Sequence, residues 1–206
     1  VIYPAYGLAE ATLMVTGGDL GAEVNVKAVD AESLKNHRMT VVEPHDHHSQ
    51  WLIGNGYAWL EQTVLIVHPE EKTVCADGLV GEIWVSGGSV AQGYWKRYEQ
   101  TRDTFQAHLA NTGQGPFLRT GDLGCFLDGQ LYVTGRIKDL VIISGRNHYP
   151  QDLEWTVSEA FSQRDLPVLG QDSAVAFSVL ADSAEQLVIV AEISRQYFRE
   201  IRRQVR

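Results

Sequence analysis

Cysteine is scarce in this chain, which has only Cys75 and Cys125 among its 206 residues. The two thiols lie far apart and form no CxxC pair, so they offer neither the ligands of a structural zinc site nor a disulfide framework. Isolated thiols of this kind suit a reducing compartment. We therefore interpret the chain as cytoplasmic.

Positive charge is also in short supply. The chain has 17 Lys and Arg residues against 26 Asp and Glu, which gives a formal net charge of −9. Neutralising a nucleic acid or an anionic membrane requires a basic surface, so we expect neither as a partner. The sequence has no signal segment and no apolar run long enough to span a bilayer. Small molecules and proteins are the partners that this composition favours.

What the chain does have is the composition of an ordinary globular protein, with 44% hydrophobic residues. Its length is sufficient to bury a core as one large domain or two small ones. It opens at Val1 without a Met and closes at Arg206 inside a helical pattern. We therefore expect these residues to be a piece of a longer protein.

Strand patterns dominate the first two thirds of the chain. The segment LAEATLMV predicts one or two helical turns, and the region from Glu23 to about Tyr57 is typical of loops and short strands. TVLIVHP and LVGEIWVSGG are rich in β-branched and aromatic residues and predict strands. Asp128-Gly129 predicts a two-residue hairpin, because a type I′ turn needs positive φ at both central positions. A small antiparallel barrel or sandwich fits this pattern.

A different pattern begins at Lys138. The segment YPQDLEWTVSEAF predicts a helix with Pro150 in its first turn. SAVAFSVLA and QLVIVAEI predict two more strands, and Ser194 is placed to cap a last helix. This order is typical of a small α+β unit, so we divide the chain into residues 1–137 and 138–206. The predicted helix has one apolar face, formed by Leu153, Val157, Ala160 and Phe161.

Four motifs are candidates for chemistry, although each has an ordinary structural explanation when it is taken alone. YGLAE at residues 6–10 fits a turn into a helix, and Asp122 in RTGDLG fits a turn acid that bonds its own backbone. GEIWVSGGSVAQGYW fits a strand and a glycine-rich loop, in which Tyr94 and Trp95 would pack nearby. In GRIKDLVIISGRNHYPQDLE, Arg136 fits a surface cation.

Taken together, in this order and spacing, the motifs resemble those of the adenylate-forming superfamily, whose members activate a carboxylate with ATP. The closest resemblance is to the fatty acyl-AMP ligases, through YGLAEAT, GEIWVSG, FLRTGDLG and GRNHYPQDLE. The resemblance runs nearly end to end and is weakest between about Val24 and Gly56. It implies a mixed α/β fold. Residues 1–137 would be the distal, mostly β-rich and barrel-like part of the large AMP-binding domain, and residues 138–206 the start of a small mobile α+β domain.

The resemblance also implies a set of nucleotide-binding residues. Tyr6 matches the aromatic residue that stacks on adenine, and Gly7 beside it belongs to the same motif. Asp122 matches the acid whose carboxylate accepts hydrogen bonds from both ribose hydroxyls. Arg136 matches an arginine near the ribose and phosphates, where its permanent charge offsets the charge that develops in phosphoryl chemistry.

Two further roles follow from the same resemblance. Glu10 matches the acid that helps to hold Mg²⁺, a hard cation that prefers carboxylate oxygen. Lys138 matches the residue about which the small domain pivots between the two half-reactions, and it coincides with the boundary placed above on pattern alone. The candidate catalytic residues are therefore Glu10, Arg136 and Lys138.

The implied reaction uses ATP and Mg²⁺ to convert a fatty acid into acyl-AMP. The acyl group then passes to an acyl carrier protein, or to a carrier domain of a polyketide or nonribosomal peptide synthase. The glycine-rich phosphate loop and the late lysine of the family are absent from these residues, so we expect them to be inactive alone. An acyl-CoA ligase and a non-catalytic nucleotide-binding or carrier-docking module are the alternatives.

Other polar segments are weaker candidates. The histidines and acid at residues 45–48 favour a surface loop over a metal site, because adjacent side chains cannot all face one ion. The stretch from about Glu32 to Leu52 occupies the place of an insertion that distinguishes fatty acyl-AMP ligases from CoA ligases. His148 favours a loop hydrogen bond over a general base. The basic segment at residues 195–206 favours a solvated helix face over a docking site for an acidic carrier.

Overall fold

The computed structural model of the chain describes residues 2–44, 49–143, 146–163, 173–181 and 184–192. The chain divides into two compact units, Val1–Lys138 and Asp139–Arg206. The fold is mixed α/β, rich in strands and with few helices, which confirms the predicted class. Within the described residues, no helix is long and apolar enough to cross a membrane.

The described part of the first unit contains nine strands and two short α-helices. They are β1 (Ala5–Leu8), β2 (Leu13–Gly17), β3 (Val26–Asp30), α1 (Ala31–Lys35), β4 (Ser49–Ile53), β5 (Tyr57–Ala58), β6 (Thr63–Val67), β7 (Gly81–Ser86), α2 (Tyr98–Phe105), β8 (Leu118–Leu127) and β9 (Gln130–Arg136). They form sheets of order β1-β2-β5, β3-β4 and β6-β7-β8-β9. The pairs in these sheets are antiparallel, and the described strands do not close into a barrel.

Strand β7 lies at the centre of the main core. Its alternate side chains enter two apolar clusters on opposite sides of the sheet: Ile83 and Val85 on one side, and Trp84 on the other. All three are fully buried. Burying a large apolar side chain stabilises a fold by about 1.5–3 kcal/mol, so this strand anchors the four-stranded sheet.

The hairpin that joins β8 to β9 has the predicted turn. Asp128 and Gly129 both adopt positive φ, at 51° and 75°, as a type I′ turn requires. The pairing of β8 with β9 then places Asp122 directly opposite Arg136. The turn and a one-residue register shift between Leu123 and Gly124 thus bring two of the predicted site residues together.

The prediction of one or two helical turns in LAEATLMV is only partly met. A single 3-10 turn spans Ala9–Ala11, after which the chain returns as β2 and pairs with β1. Thr12 and Leu13 adopt positive φ at the reversal, with angles of 56° and 82°. Pairing with β1 therefore overrides the helical propensity of Leu, Ala and Met in this segment.

Both short helices of the first unit were missed. Helix α1 begins at an N-cap, where Asp30 accepts a hydrogen bond from the Ser33 amide at 2.7 Å. Helix α2 is mostly exposed and polar, and only Phe105 is buried. Neither helix has the repeated apolar spacing that a sequence search relies on.

The described part of the second unit contains β10 (Val141–Ile143), β11 (Arg146–His148), α3 (Pro150–Gln163), β12 (Ala174–Ala181) and β13 (Ala184–Ala191). The predicted helix and both later strands are present, and Pro150 is the first residue of α3. The sequence analysis predicted no strand at Arg146–His148, where β11 forms and pairs with β10. The helix predicted from Ser194 and the basic segment after it lie outside the described residues.

Candidate functional site

Asp122 lies at the centre of a cluster that contains three of the predicted site residues. Its Oδ1 accepts a hydrogen bond from Arg136 Nε at 2.6 Å, and its Oδ2 accepts one from the Tyr6 hydroxyl at 2.7 Å. Asp122 is 6% exposed, whereas the Arg136 side chain is 61% exposed. The carboxylate is thus held at both oxygens, within a pair whose acid is buried and whose cationic side chain is largely exposed.

Tyr6 enters this cluster from β1. Its ring packs into the same core cluster as Ile83 and Val85, and the residue is 9% exposed. Burial raises the pKa of Tyr6 far above its ordinary value. The hydroxyl therefore stays protonated and donates to Asp122, while stacking of the ring on adenine remains a prediction.

Gly7 follows Tyr6 at an irregularity in the pairing of β1 with β2. A Cβ at this position would lie 1.6 Å from the backbone oxygen of Leu13. The close approach of the two strands therefore requires glycine here. Its predicted contribution to nucleotide binding is separate from this packing role.

Glu10 lies in the 3-10 turn and is held by the loop after β7. Its Oε1 accepts a hydrogen bond from the Tyr94 hydroxyl at 2.7 Å, and its backbone oxygen accepts one from the Ala91 amide at 2.8 Å. Burial, followed by the hydrogen bond to Glu10, raises the pKa of Tyr94 to about 12. The phenol therefore remains a donor at neutral pH.

Tyr94 was expected to serve packing, and its ring does contact Phe105 edge-on, with 5.1 Å between the ring centroids. Its hydrogen bond to Glu10 was missed. The two residues are 84 positions apart, and their proximity depends on how the loop returns over the 3-10 turn. No spacing in the sequence signals that contact.

Lys138 follows Arg136 by two residues, in the 3-10 turn Ile137–Asp139, and is the last residue of the first unit. Its side chain is exposed, and among the described residues no hydrogen bond or ion pair joins it to Asp122 or Glu10. Its role as a pivot stays a prediction. His148 is half-buried in β11, and residues 45–48 lie outside the described part of the chain.

A buried acid that the sequence analysis did not single out lies on β7 beside the Asp122 turn. Glu82 is 2% exposed and accepts hydrogen bonds from Trp84, Arg119 and the backbone of Gly121. Within the described residues, no group of three or more His, Cys, Asp and Glu side chains is arranged to hold a metal ion. A cation bound to Glu10 would take its other ligands from water and a bound molecule.

The chain is similar in sequence to known enzymes. No protein-family model matches the chain. The chain is 44% identical over 198 residues to the medium-chain-fatty-acid [acyl-carrier-protein] ligase JamA of Moorena producens. The matched region covers 95% of this chain and 33% of that relative. The chain spans about a third of the length of the curated relatives it matches.

Solved structures are similar to this chain in both fold and sequence. A structure from a study of fatty acyl-adenylate ligases of E. coli and L. pneumophila has a TM-score of 0.76 and 35% identity, over 98% of this chain and 33% of that one. A fatty acyl-adenylate ligase of L. pneumophila in complex with acyl adenylate and pyrophosphate has a TM-score of 0.62 and 37% identity, over 98% of this chain and 34% of that one.

The similarity in sequence and fold places the chain in the class of the adenylate-forming enzymes. Within that class, the chain belongs to the fatty acyl-AMP ligases, as the motifs YGLAEAT and FLRTGDLG indicated.

Proposed function

We propose that the full protein containing these residues activates a fatty acid by adenylation. One carboxylate oxygen of the fatty acid forms a bond to the α-phosphorus of ATP, the bond from that phosphorus to the bridging oxygen breaks, and pyrophosphate leaves. The product is acyl-AMP, a mixed anhydride. A thiol then attacks its acyl carbon, AMP leaves, and the acyl group is carried as a thioester.

The observation that carries this proposal is the Asp122 carboxylate, which is fixed by Tyr6 and Arg136 from two different strands. A ribose presents two adjacent hydroxyls, and a carboxylate accepts from both. Each of its oxygens retains acceptor capacity beyond the hydrogen bond described above. Hydrogen bonds to a charged acceptor contribute about 1.5–3 kcal/mol each. Asp122 would thus hold the ribose.

Arg136 and Tyr6 complete the proposed nucleotide contacts. The Arg136 side chain pairs with Asp122, and its permanent positive charge would offset the charge that develops on the phosphate during the reaction. The ring of Tyr6 would stack on adenine once the nucleotide is bound. Gly7 would line the nucleotide site beside Tyr6, as part of the same motif.

Glu10 would contribute a carboxylate oxygen to Mg²⁺, which supplies charge neutralisation for the ATP phosphates when it is bound. The residues present fit such a cation, because Glu10 is an acid whose Oε1 is oriented by Tyr94. Mg²⁺ keeps several waters and takes few protein ligands in phosphate sites. A single protein carboxylate is therefore sufficient here.

The acceptor of the acyl group is proposed to be the phosphopantetheine thiol of an acyl carrier protein or carrier domain in the cytoplasm. The name of the Moorena relative, an [acyl-carrier-protein] ligase, supports this choice. Residues 1–137 would belong to the large nucleotide-binding domain and residues 138–206 to the small mobile one. Lys138 would be the pivot between the adenylation and transfer orientations.

The test is a product analysis with the full protein, ATP, Mg²⁺ and a panel of labelled fatty acids, in which the acceptor is either CoA or a phosphopantetheine-bearing carrier protein. We expect acyl-AMP to accumulate with CoA and to disappear onto the carrier. Acyl-CoA as the main product would assign the protein to the CoA ligases. No adenylate from any fatty acid would leave a non-catalytic binding module.

A further inference from the structure

Glu82 and Asp122 are the two buried acids among the described residues. Asp122 belongs to the site described above, whereas Glu82 has no role in the proposed chemistry. A carboxylate that loses its hydration needs hydrogen-bond donors and a counter-charge in return. The hydrogen-bond donors to Glu82 show which part of the structure its buried carboxylate holds in place.

The first donor comes from an irregularity in β8. In the β7–β8 ladder Glu82 pairs with Leu123, and Trp84 pairs with Arg119, so that Ile83 alone faces residues 120–122. This bulge takes the Gly121 amide out of the regular ladder. The amide donates instead to Glu82 Oε1 at 3.2 Å.

The other oxygen of Glu82 holds the beginning of the same bulge. Glu82 Oε2 accepts from Arg119 Nε at 2.9 Å and lies 2.8 Å from Arg119 Nη2. It also accepts from Trp84 Nε1 at 2.9 Å, and the Arg119 guanidinium lies over the Trp84 ring at 5.7 Å. One buried carboxylate therefore fixes both Arg119 and Gly121.

Thr120 connects the bulge to the backbone of Asp122. Its hydroxyl donates to the Ile83 backbone oxygen at 2.8 Å and accepts from the Asp122 amide at 3.0 Å. The backbone of Asp122 is thus held from within the bulge, while its side chain is held by Tyr6 and Arg136. The direction of the Asp122 carboxylate depends on the shape of the bulge.

We infer that Glu82 is a positioning residue for nucleotide binding. Its buried carboxylate fixes residues 119–122 and thereby sets the direction in which Asp122 presents its oxygens to the ribose. Glu82 acts through Asp122 and does not touch the nucleotide. The inference rests on the proposed function, in which Asp122 accepts hydrogen bonds from the ribose hydroxyls.

The test compares the binding of AMP with that of 2′,3′-dideoxy-AMP to the full protein. Wild type is expected to prefer AMP by about tenfold or more, because the analogue lacks both hydroxyls that bond to Asp122. Glu82→Gln keeps the size of the side chain but loses the charge that pairs with Arg119. Its preference for AMP is expected to fall to about threefold or less, with dideoxy-AMP affinity nearly unchanged.

Glu61→Gln is the matched control, since Glu61 is an exposed acid outside this network, and it is expected to keep the wild-type preference. A purely structural role for Glu82 would weaken both ligands equally and leave the ratio of their affinities intact, which would overturn the inference. Wild type without any preference for AMP would instead overturn the proposed role of Asp122, and with it the inference.

Arg119→Lys provides a second variant in case Glu82→Gln does not fold, as judged by circular dichroism. It keeps the positive charge and loses the two-nitrogen contact with Glu82 Oε2. The Arg119 side chain is 30% exposed, so the change is less disruptive than one at Glu82. The same fall in the AMP preference is expected, and an unchanged preference in the folded variant would contradict the inference.

Discussion

Two carboxylates of the site are each held by a tyrosine hydroxyl from a distant part of the chain. Tyr6 donates to Asp122 across 116 positions, and Tyr94 donates to Glu10 across 84 positions. Burial raises the pKa of both phenols, so both remain donors at neutral pH. A hydrogen bond to a charged group orients the carboxylate before any ligand arrives.

Tyr94→Phe tests this orienting role at Glu10. The variant loses the hydroxyl 2.7 Å from Glu10 Oε1 and keeps the ring that packs against Phe105. We expect the Mg²⁺ concentration that gives half-maximal adenylate formation to rise by about threefold to tenfold, because the carboxylate is less well oriented. Titration of Mg²⁺ at saturating ATP measures this half-saturating concentration.

Tyr98→Phe is the control for that variant, since Tyr98 is 85% exposed, and its half-saturating Mg²⁺ concentration should match that of wild type. Circular dichroism on both variants would show whether the fold is retained. An unchanged Mg²⁺ requirement in folded Tyr94→Phe would contradict the assignment of Glu10 as a metal ligand oriented by Tyr94.

Among the elements, the hairpin of β1 and β2 carries Tyr6, Gly7 and the start of the Glu10 turn. Gly7→Ala places a Cβ against the backbone oxygen and carbon of Leu13, at 1.6 Å and 2.7 Å, so the two strands must separate. We expect a loss of about 1–3 kcal/mol in the free energy of unfolding, together with weaker AMP binding. Denaturant titration and AMP binding measure the two effects.

Gly18→Ala is a matched control, because a Cβ at Gly18 would meet nothing within 4 Å. It should leave both stability and AMP affinity within experimental scatter of wild type. If Gly7→Ala were as stable as Gly18→Ala, the close approach of β1 and β2 in this structure would be wrong.

The elements also show how far the sequence could predict the site. Asp128-Gly129 was predictable because a type I′ turn is specified by its own two residues. The pairing of Asp122 with Arg136 also requires the one-residue register shift between Leu123 and Gly124, which the turn does not specify. Glu82 was not predictable, because its role arises from the register of β7 against β8. Helix α2 was missed because Phe105 is its one buried residue, so the helix has no apolar face that the sequence could reveal.

For the whole molecule, buried groups that stay protonated predict how stability depends on pH. Burial raises the pKa of the Cys125 thiol from 9.0 to about 12 and raises that of Tyr6 above its ordinary 10.0. Above pH 9 to 10 the unfolded chain releases these protons while the folded chain retains them. Stability contributed by these groups is therefore complete below pH 9 and falls as the pH rises.

We expect the free energy of unfolding to fall by up to about 1.4 kcal/mol per pH unit for each such group above pH 10. Urea midpoints between pH 8 and pH 11 would measure the fall. Tyr6→Phe should flatten the slope above pH 10, since the ionisable phenol is gone. A midpoint that stays constant to pH 11 would contradict the burial of both groups.

The central claim is that the full protein forms acyl-AMP through a nucleotide held by Asp122, and fatty-acid-dependent exchange of labelled pyrophosphate into ATP tests it most directly. We predict exchange that requires both fatty acid and Mg²⁺. It should fall by about tenfold to hundredfold in Asp122→Asn, since the variant loses the charge on its ribose acceptor. It should be unchanged in Asp103→Asn, which alters an exposed acid. No exchange with any fatty acid, or full exchange in Asp122→Asn, would contradict the account.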